Sequence, residues 1–179
     1  MVVDDHPIIH DGIKTLLANE PDLVVQSLAF SAGEALEKIE QSLPDLAIID
    51  LSLGDSDGTY LIQRMTSLFP ALRILVYTMS EEKLFAERVA MAGASGYIMK
   101  TTPPTELKQA IRTILDGGTC FAEDIEGRLH RKRNGRAPGK LSVLDMLSNR
   151  EMDIFRLIGE GFDAKTISRK LSISRNTVD

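Results

Sequence analysis

The stretch Leu46-Ala47-Ile48-Ile49-Asp50 decides the predicted fold of this 179-residue chain. Four consecutive apolar residues are typical of a strand that is buried on both faces, and this strand ends in a carboxylate. Three further apolar runs end in polar side chains in the same way, and these are Asp4 with Asp5, Thr78, and Lys100. Because parallel strands share one ligand-binding edge at their carboxyl ends, the sequence predicts a single polar pocket there.

Strand-like and helix-like segments alternate up to about residue 117. We place strands at residues 1–3, 23–29, 45–50, 72–78 and 96–99, and amphipathic helices at residues 7–19, 32–42, 58–68, 82–92 and 104–116. Alternation of this kind indicates βαβ units, which build a doubly wound α/β domain. We therefore assign residues 1–120 to a domain with a five-stranded parallel sheet.

Charge is distributed unevenly along the chain. Residues 1–125 hold 9 Lys and Arg against 19 Asp and Glu, a net charge of -10, whereas residues 126–179 hold 12 against 7, a net charge of +5. This asymmetry indicates two domains, of which the second faces a polyanion. Because the sequence has neither an apolar run of roughly 18 residues nor a secretion signal, we expect a cytoplasmic protein that does not enter a membrane.

Residues 121–143 are predicted to link the two domains. Six basic residues lie between positions 126 and 140 with Gly and Pro and without apolar periodicity, which is typical of a solvated linker. Their charges either keep the linker extended or add phosphate contacts beside a DNA-binding domain. Cys120, the only cysteine, has no base pattern nearby, and we interpret it as a small packed side chain.

The predicted pocket brings together the carboxylates of Asp4, Asp5 and Asp50. Like charges repel unless a cation neutralises them, and carboxylate and water oxygens are the ligands that Mg²⁺ prefers. With the metal bound, Asp50 can attack a phosphoryl group while Lys100 offsets charge on the transferred oxygens. Thr78 can then donate a hydrogen bond to the aspartyl phosphate.

Nearly all of residues 1–117 resemble the receiver domain of two-component response regulators. The residues that carry the resemblance are Asp4-Asp5-His6-Pro7, Asp50 with Gly58 eight positions later, Thr78, and Gly96-Tyr97 before Lys100. The resemblance implies a flavodoxin-like fold and a sensor histidine kinase as the phosphoryl donor.

The same resemblance implies a role for each side chain of the pocket. Asp50 accepts the phosphoryl group, and Lys100 pairs with the phosphorylated side chain. The implied Mg²⁺ ligands are Asp5, Asp50, the backbone carbonyl of Ser52 and, through the metal's water shell, Asp4. Thr78 and Tyr97 form a switch pair in which the hydroxyl turns toward the phosphate while the ring moves inward. The other interpretation of Tyr97 is an aromatic side chain at a strand edge.

Two serines bear on the lifetime of the phosphoryl group. In the receiver family the positions two residues beyond the phosphoacceptor and two beyond the switch threonine tune hydrolysis, and here they are Ser52 and Ser80. Neither side chain offers a carboxylate or amide to orient water. We therefore predict a long-lived phosphoryl group.

Residues 144–179 carry a second, independent pattern. Ser148 and Glu151 form a predicted capping box, apolar residues at 154, 155, 157 and 158 follow at helical spacing, and Gly161 ends the helix. A second helix is predicted at about residues 164–171, and Ser174 caps a third that begins at residue 175. Two short helices with a tight turn into a third are typical of a helix-turn-helix.

This second pattern resembles the LuxR-type helix-turn-helix domain. With the receiver it resembles the NarL/FixJ branch of response regulators, which implies a transcription factor rather than an enzyme, promoter DNA as a partner, and a homodimer on activation. The residues we place near DNA are Lys165, Arg169, Arg175, Asn176 and Thr177. Each is alternatively an ordinary solvated side chain, and Asp179 stands where the family often has a contacting lysine.

Two other functions fit some of the same residues. One is a receiver that acts by protein–protein contact with an inactive DNA-binding remnant, because the expected recognition helix is incomplete at the carboxyl end and the first strand is short. The other is a Mg²⁺-dependent phosphohydrolase, which needs an acid–base carboxylate where this chain has Ser52. The function we expect is a phosphorylation-switched regulator of transcription with a truncated LuxR-type domain.

Overall fold

A five-stranded parallel sheet lies at the centre of the first of two units in the computed structural model. The units are Met1–Pro138 and Gly139–Asp179, and the structure describes residues 1–54, 56–133, 147–171 and 173–174. The strands in chain order are β1 (Val2–Val3), β2 (Leu28–Ala29), β3 (Leu46–Ile49), β4 (Ser52–Leu53), β5 (Ser56–Asp57), β6 (Arg73–Thr78) and β7 (Gly96–Met99). The parallel sheet has the order β2-β1-β3-β6-β7, whereas β4 and β5 form a separate antiparallel pair.

Helices cover both faces of this sheet, because right-handed crossovers place helices on opposite faces when strands are added on both sides of β1. The helices of the first unit are α1 (Pro7–Leu17), α2 (Ala32–Gln41), α3 (Gly58–Leu68), α4 (Glu82–Met91), α5 (Pro104–Leu115) and α6 (Glu123–Arg133). Helices α1 and α5 pack together, and α3 packs against both α2 and α4. The core between the sheet and the α1–α5 face includes Val2, Ile13, Ile48, Leu75, Ile111 and Ile114. The predicted doubly wound α/β fold is confirmed.

Two segments differ from the sequence prediction. The strand predicted at residues 23–29 is reduced to Leu28–Ala29, because the apolar residues before it do not all lie against the core, and Val24 is 85% exposed. Helix α6 occupies part of the segment predicted as an irregular linker. Its buried apolar anchor is Ile125, and one anchor gives no periodicity that the sequence alone can reveal.

The second unit contains α7 (Asn149–Gly159) and α8 (Ala164–Lys170). The predicted capping box is present, because the Ser148 hydroxyl accepts from the Glu151 amide while the Glu151 carboxylate accepts from the Ser148 amide. Gly161, with φ of +84°, follows α7, and the amides of residues 161 and 162 donate to carbonyls of the last turn. The third helix predicted from residue 175 lies outside the described residues.

None of the helices in the described parts of the chain combines the length and the apolar character needed to cross a membrane.

Candidate functional site

Three carboxylates meet at the carboxyl ends of β1 and β3. The strand register places Val3 opposite Ile49, and the Asp50 amide donates to the Val3 carbonyl at 2.9 Å. Asp4, Asp5, His6 and Asp50 each offer one potential metal-ligand atom, and these atoms lie within 4.8 Å of one another. The structure thus brings together the three carboxylates that the strand pattern predicts to be neighbours.

Lys100 contacts two of these carboxylates. Its Nζ atom lies 2.6 Å from Asp4 Oδ2 and 2.6 Å from Asp50 Oδ2, and all three side chains are buried. Burial alone lowers the pKa of Lys100, but Asp50 and Asp4 outweigh that effect and raise the pKa above its ordinary value. The pocket therefore holds a charged ammonium between two carboxylates.

Thr78 and Tyr97 lie on the neighbouring strands β6 and β7. Thr78 is fully buried, and its carbonyl accepts from the Lys100 amide at 2.7 Å, which places it beside the lysine. Tyr97 is only 2% exposed, and its hydroxyl donates to the Ser80 carbonyl at 2.9 Å. The ring therefore lies inside the domain and not at an exposed strand edge.

The loop after Asp50 is fixed by close backbone contacts. The Ser52 amide donates to Asp50 Oδ1 at 3.2 Å, so one carboxylate oxygen is held by the chain that follows it. At Gly58 a Cβ atom would lie 2.6 Å from the Cα of Leu51 and 2.7 Å from the carbonyl oxygen of Asp50. These distances leave no room for a side chain, which explains the glycine eight positions after Asp50.

Two histidines complete the surroundings of Asp4. His6 Nδ1 lies 2.7 Å from Asp5 Oδ1 and 3.3 Å from Asp4 Oδ1. His10 is 1% exposed, its Nε2 lies 2.7 Å from the Asp4 carbonyl oxygen, and its ring centroid is 4.5 Å from that of Phe30. Sequence reasoning used His6 only as a motif residue and did not single out His10. The available signal was their spacing of four residues around the start of α1.

The donor set of the pocket fits a hard divalent cation. Three carboxylates offer oxygen ligands, Asp4 and Asp50 are buried, and Asp5 is partly exposed to water. Oxygen ligands completed by water are what Mg²⁺ prefers, whereas the imidazole of His6 suits softer metals. A buried carboxylate flanked by an ammonium and a cation site is suited to nucleophilic attack on a phosphoryl group.

The residues predicted to contact DNA are only partly described. Lys165 and Arg169 are exposed on α8, as phosphate contacts require. Arg175, Asn176 and Thr177, together with Asp179, lie outside the described residues. On the same helix, the ammonium of Lys170 lies 4.6 Å from the centroid of the Phe162 ring, a contact that the sequence did not indicate.

Family comparisons match both units of the chain. Residues 1–112 match the family described as the response regulator receiver domain. Residues 145–179 match the luxR family of bacterial regulatory proteins.

Similar proteins cover three quarters or more of the chain. The oxygen regulatory protein NreC of Staphylococcus haemolyticus is 32% identical over 185 residues, which cover 100% of this chain and 85% of the relative. A LuxR-family two-component response regulator from an Aurantimonas species shares 36% identity with a TM-score of 0.66, covering 75% of this chain and 96% of that one. RcsB from Salmonella enterica serovar Typhimurium, solved bound to the promoter rprA with the phosphomimetic BeF3-, shares 28% identity with a TM-score of 0.63, covering 99% and 84%.

Proposed function

The chain belongs to the two-component response regulators that join a receiver domain to a LuxR-type DNA-binding domain, and on this premise we propose that phosphorylation of Asp50 switches its binding to promoter DNA. The observation that carries the proposal is the buried Asp50 carboxylate, 4% exposed, with the Lys100 ammonium 2.6 Å from one of its oxygens. A carboxylate in this setting can act as a nucleophile, and the Lys100 ammonium is already in place to balance the negative charge of the phosphoryl group that it would accept.

The proposed chemistry assigns the remaining side chains of the pocket. The Mg²⁺ ligands are Asp5, Asp50, the backbone carbonyl of Ser52 and, through water, Asp4. When bound, the metal supplies positive charge to the phosphoryl oxygens. An oxygen of Asp50 forms a bond to phosphorus as the bond from phosphorus to the donor breaks, and Lys100 offsets the charge on the transferred group. Thr78 then donates to the phosphoryl oxygen, and Tyr97 completes the switch pair.

The proposed partners follow from the two units. A sensor histidine kinase donates the phosphoryl group to the first unit. Promoter DNA binds the second unit through Lys165 and Arg169 on α8 and through residues 175–177. A homodimer after activation is supported by the solved assembly of two RcsB dimers on two parallel DNAs. Because bacterial promoter DNA lies in the cytoplasm, we place the protein there.

The first experiment treats the full chain with acetyl phosphate and Mg²⁺. The unaltered protein and Asp57→Asn are expected to gain one phosphoryl group by intact-protein mass, whereas Asp50→Asn gains none. Asp57 is a matched control because its carboxylate caps α3 by accepting from the Thr59 amide, and asparagine can keep that bond. A phosphoryl group on Asp50→Asn would contradict the assignment.

The same samples then test the output. Duplexes selected by the phosphorylated protein from a random-sequence pool are used in a gel shift with each variant. Phosphorylation is expected to raise the affinity of the unaltered chain but not of Asp50→Asn. Equal binding before and after phosphorylation would favour a receiver that acts by protein contact alone.

The phosphoryl group on Asp50 is expected to persist for minutes rather than seconds. Ser52 and Ser80 flank the site without a carboxylate or amide that could orient water, and the Ser80 amide and carbonyl already bond to Thr78 and Tyr97. Decay is followed by mass after acetyl phosphate is removed. Introducing a carboxamide with Ser80→Asn is expected to shorten the lifetime, and decay of the unaltered protein within seconds would contradict the prediction.

A further inference from the structure

Three hydrogen bonds connect Tyr97 to the start of helix α6 and to the start of helix α4. The Tyr97 hydroxyl donates to the Ser80 carbonyl at 2.9 Å, and the Tyr97 amide donates to the Cys120 carbonyl at 2.7 Å. The Ala122 amide then donates to Glu82 Oε1 at 2.9 Å. Because residues 80 and 82 lie in one segment and residues 120 and 122 in another, these bonds close a ring.

The ring lies where the predicted linker begins, at the start of α6, the last described helix of the first unit. The Cys120 amide donates to the Ser95 carbonyl at 2.9 Å, so residue 120 pairs with β7 like a short added strand. Helix α6 then packs on α4, with Ile125 only 1% exposed and Arg128 Nε 3.7 Å from Glu87 Oε2. Backbone hydrogen bonds to β7 hold residue 120, whereas the side chain of Glu82 holds residue 122, just before α6 begins.

We propose that Glu82 is a positioning residue that couples the switch tyrosine Tyr97 to the linker helix α6. The coupling rests on the proposed function, because it needs Tyr97 to respond to phosphorylation of Asp50. A shift of the Tyr97 ring alters the hydrogen bond from the Tyr97 hydroxyl to Ser80, in the segment that carries Glu82. A shift of strand β7 alters the hydrogen bond from the Tyr97 amide to Cys120. With the Glu82 bond intact, the starts of α4 and α6 therefore move together. Without it, the start of α6 loses its hydrogen bond to α4, and the helix is held by residue 120, by its packing and by the Arg128–Glu87 ion pair farther along.

A carboxylate is well suited to this position. A charged acceptor makes a stronger bond to a backbone amide than a neutral one, and a negative charge in the first turn of α4 is favoured by that helix's dipole. Removing the side chain leaves the Ala122 amide without its acceptor, whereas glutamine keeps a carbonyl oxygen at nearly the same place.

The test uses the full chain and two local probes. Cys120 is the only cysteine and is half-buried. It lies so close to β7 that a Cβ atom added to Gly96 would be 2.9 Å from the Cβ atom of Cys120. Alkylation of Cys120 therefore reports separation of this segment from β7. Hydrogen exchange of the amides in residues 123–133 reports the stability of α6. In Glu82→Ala both rates are expected to rise several-fold, while exchange in β3 and β6 stays unchanged and shows that the domain remains folded.

Two further variants make the test specific. Glu82→Gln is expected to keep the exchange of α6 close to that of the unaltered protein. It loses the same negative charge as Glu82→Ala, a charge that raises the pKa of the Cys120 thiol, so the alkylation rates are compared between these two variants, and Glu82→Ala is expected to react faster. Lys83→Ala removes an exposed neighbouring side chain in the first turn of α4 and is expected to have no effect on α6. If Glu82→Ala alkylates and exchanges as the unaltered protein does, Glu82 does not hold the linker.

The coupling itself is measured after treatment with acetyl phosphate. Phosphorylation is expected to change the exchange of α6 in the unaltered protein and in Glu82→Gln but not in Glu82→Ala, although all three are phosphorylated equally. A response that persists in Glu82→Ala overturns this inference and leaves the proposed function standing. A failure of the unaltered protein to become phosphorylated overturns the proposed function instead.

Discussion

At the scale of single residues, the shape of the site depends on Gly58 and His10, neither of which is assigned a role in phosphoryl transfer or metal binding. Gly58 lets the first turn of α3 approach the backbone of Asp50 and Leu51 within the distance that a Cβ would occupy. The buried His10 ring lies with its Nε2 atom 2.7 Å from the carbonyl oxygen of Asp4. The acidic pocket therefore depends on a glycine at position 58 and on the buried imidazole of His10.

Replacing Gly58 by alanine is expected to destabilise the first unit. The nearest atoms are backbone, which cannot rotate away, and overpacking of this kind costs about 1–3 kcal/mol. Gly12→Ala is the matched control, because nothing lies within 4 Å of a Cβ at this exposed position in α1, and alanine gains about 1 kcal/mol over glycine within a helix. Urea denaturation should give opposite signs for the two variants; a neutral Gly58→Ala would show that the loop relaxes easily.

His10 is expected to support the binding of Mg²⁺ without touching the metal. The Asp4 carbonyl can only accept, so Nε2 carries the proton and orients the peptide that joins Asp4 to Asp5. His10→Leu removes this donor and is expected to weaken Mg²⁺ binding several-fold in calorimetric titration. His10→Gln supplies an amide donor and should retain most of the affinity. Equal affinities in all three proteins would limit His10 to a packing role.

At the scale of elements, ion pairs hold α5 to the segment after α1. Arg112 Nη1 lies 2.6 Å from Asp22 Oδ2, its Nη2 lies 2.5 Å from Glu20 Oε2, and Lys108 Nζ lies 3.0 Å from Glu20 Oε1. Hydrogen bonds from Lys108 and Arg112 lower the pKa of Glu20, and the bond from Arg112 lowers the pKa of Asp22. Helices α1 and α5 also contribute Ile13, Ile111 and Ile114 to one buried apolar cluster.

The contribution of Arg112 to stability is expected to disappear in acid. A carboxylate whose pKa is lowered by folding stabilises the native state above its unfolded pKa of about 4, and the effect is lost as the pH falls through the lowered value. The difference in unfolding free energy between the unaltered protein and Arg112→Leu should therefore be present at pH 7 and vanish at lower pH. Arg64→Leu, on the exposed surface of α3, serves as the reference. A difference that grows in acid would contradict the assignment.

Some features of these elements could be predicted from the sequence, and others could not. The polar strand ends at Asp50 and Lys100, and the capping box of Ser148, are local patterns, and the structure shows both. The length of β2 and the helical state of residues 123–133 depend on packing against parts of the chain that are distant in sequence, such as the packing of α6 on α4. In α7 the helical spacing is correct, yet Phe155 and Ile158 are each 55% exposed while Leu157 is buried. Periodicity gives the helix but does not settle which apolar residues are covered.

At the scale of the whole molecule, the charge asymmetry separates two kinds of chemistry. The acidic first part, with a net charge of -10, contains the cation pocket, whereas the second, with +5, contains the proposed DNA contacts. The first part repels a phosphate backbone, so the attraction to DNA must come from the 12 Lys and Arg residues of the second.

The salt dependence of DNA binding is expected to identify those cations. Each phosphate contact contributes about 0.9 to the slope of log K against log salt. In the full chain, Lys165→Ala with Arg169→Ala should lower the slope on a random-sequence duplex by roughly twice that amount. Lys14→Ala with Lys83→Ala removes two cations from the first unit and should leave the slope unchanged. An unchanged slope in the α8 variant would mean that other residues contact the phosphates.

The pairing of residue 120 with β7 also affects the resistance of the protein to aggregation at high concentration. Strand β7 would otherwise be the outer strand of the parallel sheet, and an open edge invites a strand from another molecule. The start of the linker occupies the amide of Tyr97 and the carbonyl of Ser95 and so blocks that route to aggregation. A change in α6 that also releases residue 120 from β7 uncovers this edge, and resistance to self-association and transmission of the signal therefore depend on hydrogen bonds of the same short segment.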